Sequence, residues 1–589
     1  MGRPRIQPSA VRPAQSSSVG RSSASAASTE RLEDVSRLLR ARSFWVEGET
    51  PAAQRVRSNL ALGPAQLDPA AAVWISGGKV PPGRLGISLD DAAALLGPHS
   101  FGFLNNVDGI APLAAPMAER PRLGRVALVV PRRDALPELP PLLEQRLLGV
   151  SWLISVGDGD PAEVLRFLAH DPATTGLLLA LGKGARPQSL LDCLGGKPAV
   201  VLLPPQHRDL ALLRAVARRA LTRVTASFEE WLAHGALLDA GFGPASPGRT
   251  VARRNVAKPA RTSVLVFGAG ADLVQRELAT LRMAPPLRVD ADDALAVEQA
   301  LGRAAEQSEL LILCGARQQL LQLRPPRPAV LLDSSERDRL RALLQAVHVV
   351  TTPTGQHAQV VLHAVRERLE SVLGDLPPPL YVAGEMVSRE LLSDHDVKRL
   401  LHCYGATVTR QAPVSTTTSA LRVVSKLGTP VWVLPGLPPG DDVTKVASAE
   451  SKEGVLCETQ AEVKRQTSLL LGQHEYVLLR EVVPRGVSLR IRTTSERGLG
   501  PTLRVLPLVP GGDEQAEAAL LPLFADDAQA VAQACVGLDG EPAAIESLAT
   551  LLGQIAACVV EQQLEGDLVV RLAAEPVVIH AAGVLRRER

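Results

Sequence analysis

Aromatic side chains are scarce in this chain. Eight Phe, five Trp and three Tyr make up 3% of 589 residues, so any cores must be built from Ala, Leu and Val. Net charge is only +2, which gives no electrostatic case for a nucleic-acid or membrane-surface partner. No apolar run reads as approaching the ~18 residues that a membrane span needs. The opening stretch, residues 1–28, is rich in Ser, Ala, Pro and Arg and has almost no large apolar residues, which predicts a disordered tail. It also lacks the apolar centre of a secretion signal. The six cysteines (Cys193, Cys314, Cys403, Cys457, Cys535 and Cys558) show no CxxC spacing, which argues against a zinc site or a disulfide frame and fits a reducing cytoplasm.

What the chain does have is length and a 46% apolar content, enough for roughly four domains at ~150 residues each. Residues 29–39 have helical spacing. Short apolar runs then alternate with helical stretches. The runs Ala71–Ser76, Gly124–Val130, Ser151–Val156, Gly176–Leu181 and Lys197–Leu203 read as buried strands. Pro161–His170 and Asp209–Arg219 read as helices. A second series follows a Gly/Pro/Arg-rich linker, with strands at Ser263–Phe267, Leu310–Cys314, Ala329–Leu332 and Val347–Val350 and a closing helix from Gln356. This alternation predicts an α/β protein with parallel-rich sheets covered on both faces.

Beyond a second linker, Leu376-Pro377-Pro378-Pro379, the stretch Tyr476–Pro510 reads as strand, turn, strand, with the turn at Pro484-Arg485-Gly486. Glu481 ends the first strand, followed by Val482 and Val483. An acid there, beside main-chain groups held out of a ladder, suits an adenine amine or a ribose hydroxyl. An edge hairpin with a solvated acid is the plainer alternative.

These stretches carry a resemblance. Arg480-Glu481-Val482-Val483-Pro484-Arg485-Gly486-Val487 resembles the QEMVPRGVE hinge of the ATP-grasp domain in ADP-forming acyl-CoA synthetases. Leu392–Leu401, followed by Tyr404-Gly405, resembles that family's LSEYEAKELLAAYGI. Arg42–Thr50 resembles RSIAVVGAS, the first strand and phosphate turn of its CoA-binding Rossmann domain, and Leu95–Asn105 resembles LIGPNCLGILN. The resemblance implies a 1–28 tail, a shortened CoA-binding Rossmann-like domain over 29–122 and a succinyl-CoA-synthetase-like flavodoxin domain over 123–240. A 241–261 linker, a second flavodoxin-like domain over 262–375 and an ATP-grasp-like region over 380–589 complete it.

The family's chemical residues are not at the matched positions. Its SQSGALG turn is replaced by Pro131-Arg132-Arg133-Asp134-Ala135, and proline supplies no N–H. Its phosphohistidine motif ASHTGALAG is missing; His207 is the nearby histidine, at a strand end. The nucleotide lysine position holds Pro435, with Lys445 and Lys452 downstream. The Mg²⁺-binding ELDINPL is Arg571-Leu572-Ala573-Ala574-Glu575-Pro576-Val577, with Ala573 at the acid position. Phosphoryl transfer is mostly positioning and charge neutralisation, so these losses bear on the reaction itself.

The resemblance then implies a degenerate, non-catalytic relative that acts as a binding, regulatory or assembly protein. An active synthetase, with Lys445, Lys452, Glu575 or Arg132 in displaced roles, is the alternative. No catalytic or metal residue is assigned. Glu481, Val482 and Val483 are the candidate nucleotide hinge, and Gly48 and Thr50 the candidate CoA contacts. The expected cofactors are ATP or ADP and CoA, held weakly and without Mg²⁺. The expected partner is a second copy or another protein, with no nucleic acid and no membrane.

Overall fold

The computed structural model describes residues 30–77, 79–89, 94–117, 120–131, 148–182, 185–193, 197–203, 209–220, 222–244, 262–267, 274–276, 278, 286–289, 293–308, 310–315, 320, 323, 325–326, 329–333, 351–353, 387–436, 454–484, 486–496, 499–508, 516–537, 541–572 and 575–588. Arg132, Arg133, His207, Lys445, Lys452, Ala573 and Ala574 lie outside them, as do the 1–28 tail, the 245–261 part of the linker, and the strand and closing helix expected at 347–350 and 356–373.

The protein is α/β. A helix over residues 30–39 leads into the first sheet, four parallel strands in the order Gln66–Leu67, Ser43–Val46, Val73–Ser76, Leu85–Ser88. Two of these were not expected from the sequence. Gln66–Leu67 is a two-residue edge strand with both side chains exposed, and Leu85–Ser88 follows the Pro81-Pro82-Gly83 turn with a glycine inside it. Neither presents an apolar run long enough to read as a strand.

The second sheet has the order Arg223–Thr225, Ala199–Leu202, Gly176–Ala180, Leu123–Pro131, Val150–Gly157, Phe103–Asn105. Its first five strands are parallel, in the 2-1-3-4-5 order of a flavodoxin-like sheet. Phe103–Asn105, from the segment before it in the chain, joins antiparallel to Val150–Gly157 and ties the first unit to the second. That crossing needs glycines at close approaches. A Cβ on Gly157 (φ +64°) would lie 1.9 Å from the Pro98 carbonyl oxygen, and one on Gly102 (φ +88°) 1.9 Å from that of Pro112. The third sheet runs Leu287–Val289, Thr262–Phe267, Leu310–Gly315, Ala329–Asp333, again parallel. A short pairing of Phe242–Pro244 with Thr351–Pro353 links the second and third units.

The C-terminal region corrects the expectation of parallel sheets throughout. Both of its sheets are antiparallel. The small one has the order Gln411–Val414, Val477–Glu481, Val431–Pro435, Val455–Cys457 and packs under helices Thr417–Leu427 and Gln460–Leu471. The large one has the order Val387–Leu392, Val577–Glu588, Leu564–Arg571, Ser488–Glu496, Gly500–Pro507, Glu517–Leu520. Alternation of side chains splits this sheet's two faces. Leu564, Leu568, Val570, Val578 and Leu585 point into a core with helices Asp394–Cys403, Ala525–Val536 and Pro542–Gln562, while Val569, Val577 and Ile579 form the opposite face.

Helix Pro542–Gln562 corrects the reading of apolar runs. By length and composition alone it is long and apolar enough to cross a membrane. Here Leu548, Leu551, Leu552, Ile555 and Val559 are buried in the core of the large sheet. Glu546 and Gln554 interrupt the run, which is why it did not stand out as a span in the sequence.

Candidate functional site

Two places can be built from the sequence candidates upward: the crevice at the end of the first sheet and the cleft between the two C-terminal sheets. In the first sheet the strand order reverses between Ser43–Val46 and Val73–Ser76. Ligands of doubly wound sheets bind at such a switch point, at the carboxyl ends of the strands, with the following helix start toward the anion. Glu47 occupies this point. Its Oε2 accepts from Ser76 Oγ (2.6 Å) and Trp74 Nε1 (3.1 Å) on the neighbouring strand. The hydrogen bond from Ser76, then that from Trp74, holds its carboxyl below the ordinary value.

The turn beyond is engaged as well. Gly48 takes φ +85°, which glycine adopts freely. Arg57 Nη2 donates to the carbonyls of Val46 (3.0 Å) and Gly48 (2.6 Å), and its Nη1 to Glu49 Oε2 (3.2 Å). Thr50 caps the helix Pro51–Ala61, its hydroxyl accepting from Ala53 N at 3.2 Å. Pro51, at the first helical position, has no N–H to offer an anion.

In the C-terminal region the hinge acid also has a partner of its own chain. Glu481 Oε1 accepts from the Arg410 backbone N at 2.7 Å and Oε2 from Arg410 Nε at 2.6 Å. Val482 is exposed, while Val483 packs on the apolar face made by Val569, Val577 and Ile579. So the hinge strand does border an apolar floor. Gly486 lets the hinge loop rest on the large sheet, since a Cβ there would fall 1.9 Å from the Leu572 carbonyl oxygen.

Behind the hinge lies a cluster that the sequence reading did not single out. Lys398, on helix Asp394–Cys403, is 2% exposed. Its Nζ reaches Ile579 O (2.6 Å), Gln411 Oε1 (2.7 Å), Thr409 Oγ1 (3.0 Å) and Asp394 Oδ2 (3.1 Å). Arg480, equally buried on the hinge strand, donates to Ile579 O (3.1 Å) and His580 Nε2 (3.0 Å). The same guanidinium nitrogen also lies 3.4 Å from His580 Nδ1, and since an arginine only donates, the ring nitrogen that accepts from it carries no proton. Asp394 accepts from Ala581 N (2.7 Å) and from Gln411 Nε2. One helix, the small sheet and the large sheet are joined at this point. Burial pushes Lys398 down to about 8 and Arg480 to about 10. Burial, with Arg480, Lys398 and Arg571 nearby, drives His580 well below its ordinary value, so it is neutral. A signal was present in the sequence: Lys398 sits four residues after Asp394, between the apolar Val397 and Leu401.

Pro435 is buried in the small sheet opposite Val477, and Glu575 is exposed. Among the described residues no group of three His, Cys, Asp or Glu side chains is arranged to hold a metal ion.

No family model and no curated protein matches the chain. Solved structures do resemble parts of it. The apo form of the dinucleotide-forming acetyl-coenzyme A synthetase 1 of Ca. Korarchaeum cryptofilum is 13% identical, with a TM-score of 0.41, over 56% of this chain and 99% of that one. PH0766 of Pyrococcus horikoshii OT3 is 12% identical, with a TM-score of 0.37, over 57% of this chain and 99% of that one. A complex of the Korarchaeum protein ACD1 with coenzyme A is 20% identical, with a TM-score of 0.29, over 33% of this chain and 94% of that one.

Proposed function

We propose that this chain is a non-catalytic relative of the ADP-forming acyl-CoA synthetases, a binding, regulatory or assembly protein. The observation that carries this reading is Glu47. It places a carboxylate at the switch point of the first sheet, held by Ser76 and Trp74, where a bound cofactor's phosphate would need neutral or positive surroundings. The engagement of Thr50 in its helix cap, of Glu481 by Arg410 and of Lys398 by four acceptors supports it. The proline at the lysine position and the motif losses around His207 and Ala573 support it from the sequence.

With ATP, Mg²⁺, CoA and a panel of short acids, the purified protein should form no acyl-CoA. Labelled ATP should leave no acid-labile phosphohistidine. Label that appears and is lost in His207→Ala would establish the alternative, an active synthetase with displaced residues.

A residual nucleotide site, if kept, belongs at Glu481, Val482 and Val483, over the apolar floor. Its grip would come from the adenine and ribose and not from the phosphates. Charged hydrogen bonds contribute ~1.5–3 kcal/mol each, so the loss of two lowers affinity by roughly a hundredfold or more. Calorimetry should therefore find weak binding with little preference among ATP, ADP and AMP. Mg²⁺-dependent binding of ATP far tighter than that of AMP would mean that Lys445, Lys452 or Glu575 supplies the missing charge.

A further inference from the structure

At the opposite end of the first sheet from Glu47, the helix over residues 30–39 and the starts of the strands enclose an open concavity of about 460 Å³. That volume falls within the roughly 300–1,000 Å³ of small-molecule sites. Three guanidinium-bearing side chains line it: Arg37, Arg40 and Arg42. Arg37 lies in the last turn of the helix and Arg40 directly follows it, its N–H still donating to Ser36 O at 3.2 Å, so the two share a face. Arg42 lies three residues beyond the helix, just before the strand Ser43–Val46. The remaining wall includes Ala72, Val73 and Leu85, so the floor beside the cations is apolar.

The charge here is incompletely matched. Arg37 pairs with Asp34 at 3.3 Å, both on the surface. Arg42 stands 3.9 Å from Asp108, with 74% and 38% of the two side chains exposed. Exposed pairs of this kind are weak and readily exchanged for another anion. Arg40 pairs with no carboxylate among the described residues; its guanidinium lies over the ring of Phe167, 5.4 Å from the centroid. Phe167 is buried in helix Ala162–His170 of the second unit, so the position of Arg40 depends on the packing of two units. Helix C-termini favour cations, which explains why arginines are tolerated there. It does not explain why three of them surround a concavity.

We propose that this concavity binds a phosphate monoester of a small organic group. Guanidinium forks match phosphate and carboxylate oxygens alike. Three forks offer more donors than the two oxygens of a carboxylate can accept, whereas a phosphate monoester has three terminal oxygens. The apolar wall of Ala72 and Leu85 takes the organic group. The site is separate from the switch-point crevice, and its existence does not rest on the functional reading above.

The test is calorimetry of the full chain with phenyl phosphate, inorganic phosphate, benzoate and phenol. Phenyl phosphate should bind saturably, more tightly than inorganic phosphate or benzoate, and phenol should not bind. Arg40→Gln should weaken phenyl phosphate about tenfold, and the triple variant Arg37→Gln, Arg40→Gln, Arg42→Gln should abolish binding. All three side chains are exposed, so thermal unfolding of these variants should match the parent; should the triple variant not fold, Arg40→Gln alone decides. No saturable binding of phenyl phosphate up to about 10 mM, or an affinity unchanged in Arg40→Gln, overturns the proposal.

Discussion

Lys398→Met should destabilise the C-terminal region by about 3–5 kcal/mol, the usual cost of removing one partner from a buried ionic group. Methionine nearly matches lysine in length, so the loss is of hydrogen bonds and charge and little of packing. It strips a donor from Ile579 O, Gln411 Oε1 and Thr409 Oγ1 and leaves Asp394 without its buried cation. Because the cluster joins the small sheet to the large one, denaturant unfolding of the variant should show the small sheet leaving first. A loss of under ~1 kcal/mol would put Lys398 among ordinary surface ion pairs and end this account.

The pH dependence follows with a definite sign. Lys398 is held at about 8 in the fold, below its ordinary value of 10.5. Between these values the unfolded chain binds more protons, so stability rises with pH across that window. Below about 8 the cost of the buried charge is present in full. The methionine variant has nothing to titrate at this position, so the gap between parent and variant should widen as pH rises from about 8 towards 10.5. His580 acts in the same direction at lower pH. Its folded value lies well below 6.5, so the stability of the parent should fall as pH drops under 6.5; the methionine variant, without the Lys398 charge that helps hold His580 down, should fall less.

Much of the architecture was legible because it rests on patterns with a single physical reading. The parallel units announced themselves by short apolar runs at regular spacing, and GRVALVV and the runs after it became strands that are buried on both faces. The antiparallel sheets of the C-terminal region were harder. A strand such as Ser488–Glu496 alternates polar and apolar residues with arginines at 490 and 492, both paired with Asp567 across the ladder. Strand direction is set by pairing partners far away in sequence, which no local pattern encodes.

The candidate residues show a related limit. Their types suggested what they can bind, but which atoms they meet is decided by distant segments. Glu481 meets Arg410, 71 residues earlier; Glu47 meets Ser76, 29 residues later. Lys398 was in plain view inside a matched motif, yet the acceptor that fixes it, Ile579 O, lies 181 residues further on.

Residues about 300 apart in sequence also meet where the second unit packs on the large sheet, and the expected effect of breaking that contact is again large. Glu517–Leu520 is the last strand of the six-stranded sheet, and its open edge faces helix Leu210–Arg219. Sheet edges left bare invite pairing with other chains, and here arginines cover the edge instead. Arg219 Nη2 donates to Leu520 O and Pro522 O, both at 2.7 Å, its Nε stands 3.8 Å from Asp527, and its guanidinium lies 4.1 Å from the centroid of Phe524. Arg218 reaches Glu517 and Ala518 O, and Arg214 reaches Glu517 at 3.1 Å. Ala518 and Leu520 belong to the same core as the second unit.

Arg219→Ala takes the cation from Asp527, whose side chain is only 6% exposed, and two donors from backbone carbonyls. The expected cost is about 3 kcal/mol or more. Arg214→Ala, at a side chain 33% exposed, should cost under ~1 kcal/mol. The readout that separates docking from general stability is the shape of the unfolding curve. Loss of Arg219 should split one transition into two, with the C-terminal region melting apart from the first two units. A double-mutant cycle of Arg218→Ala with Glu517→Ala should show coupling, since both lie on one hydrogen-bonded path. Equal costs for Arg214→Ala and Arg219→Ala, with a single transition retained in both, would mean that the apolar contacts of Ala518 and Leu520 hold the units together without the arginines.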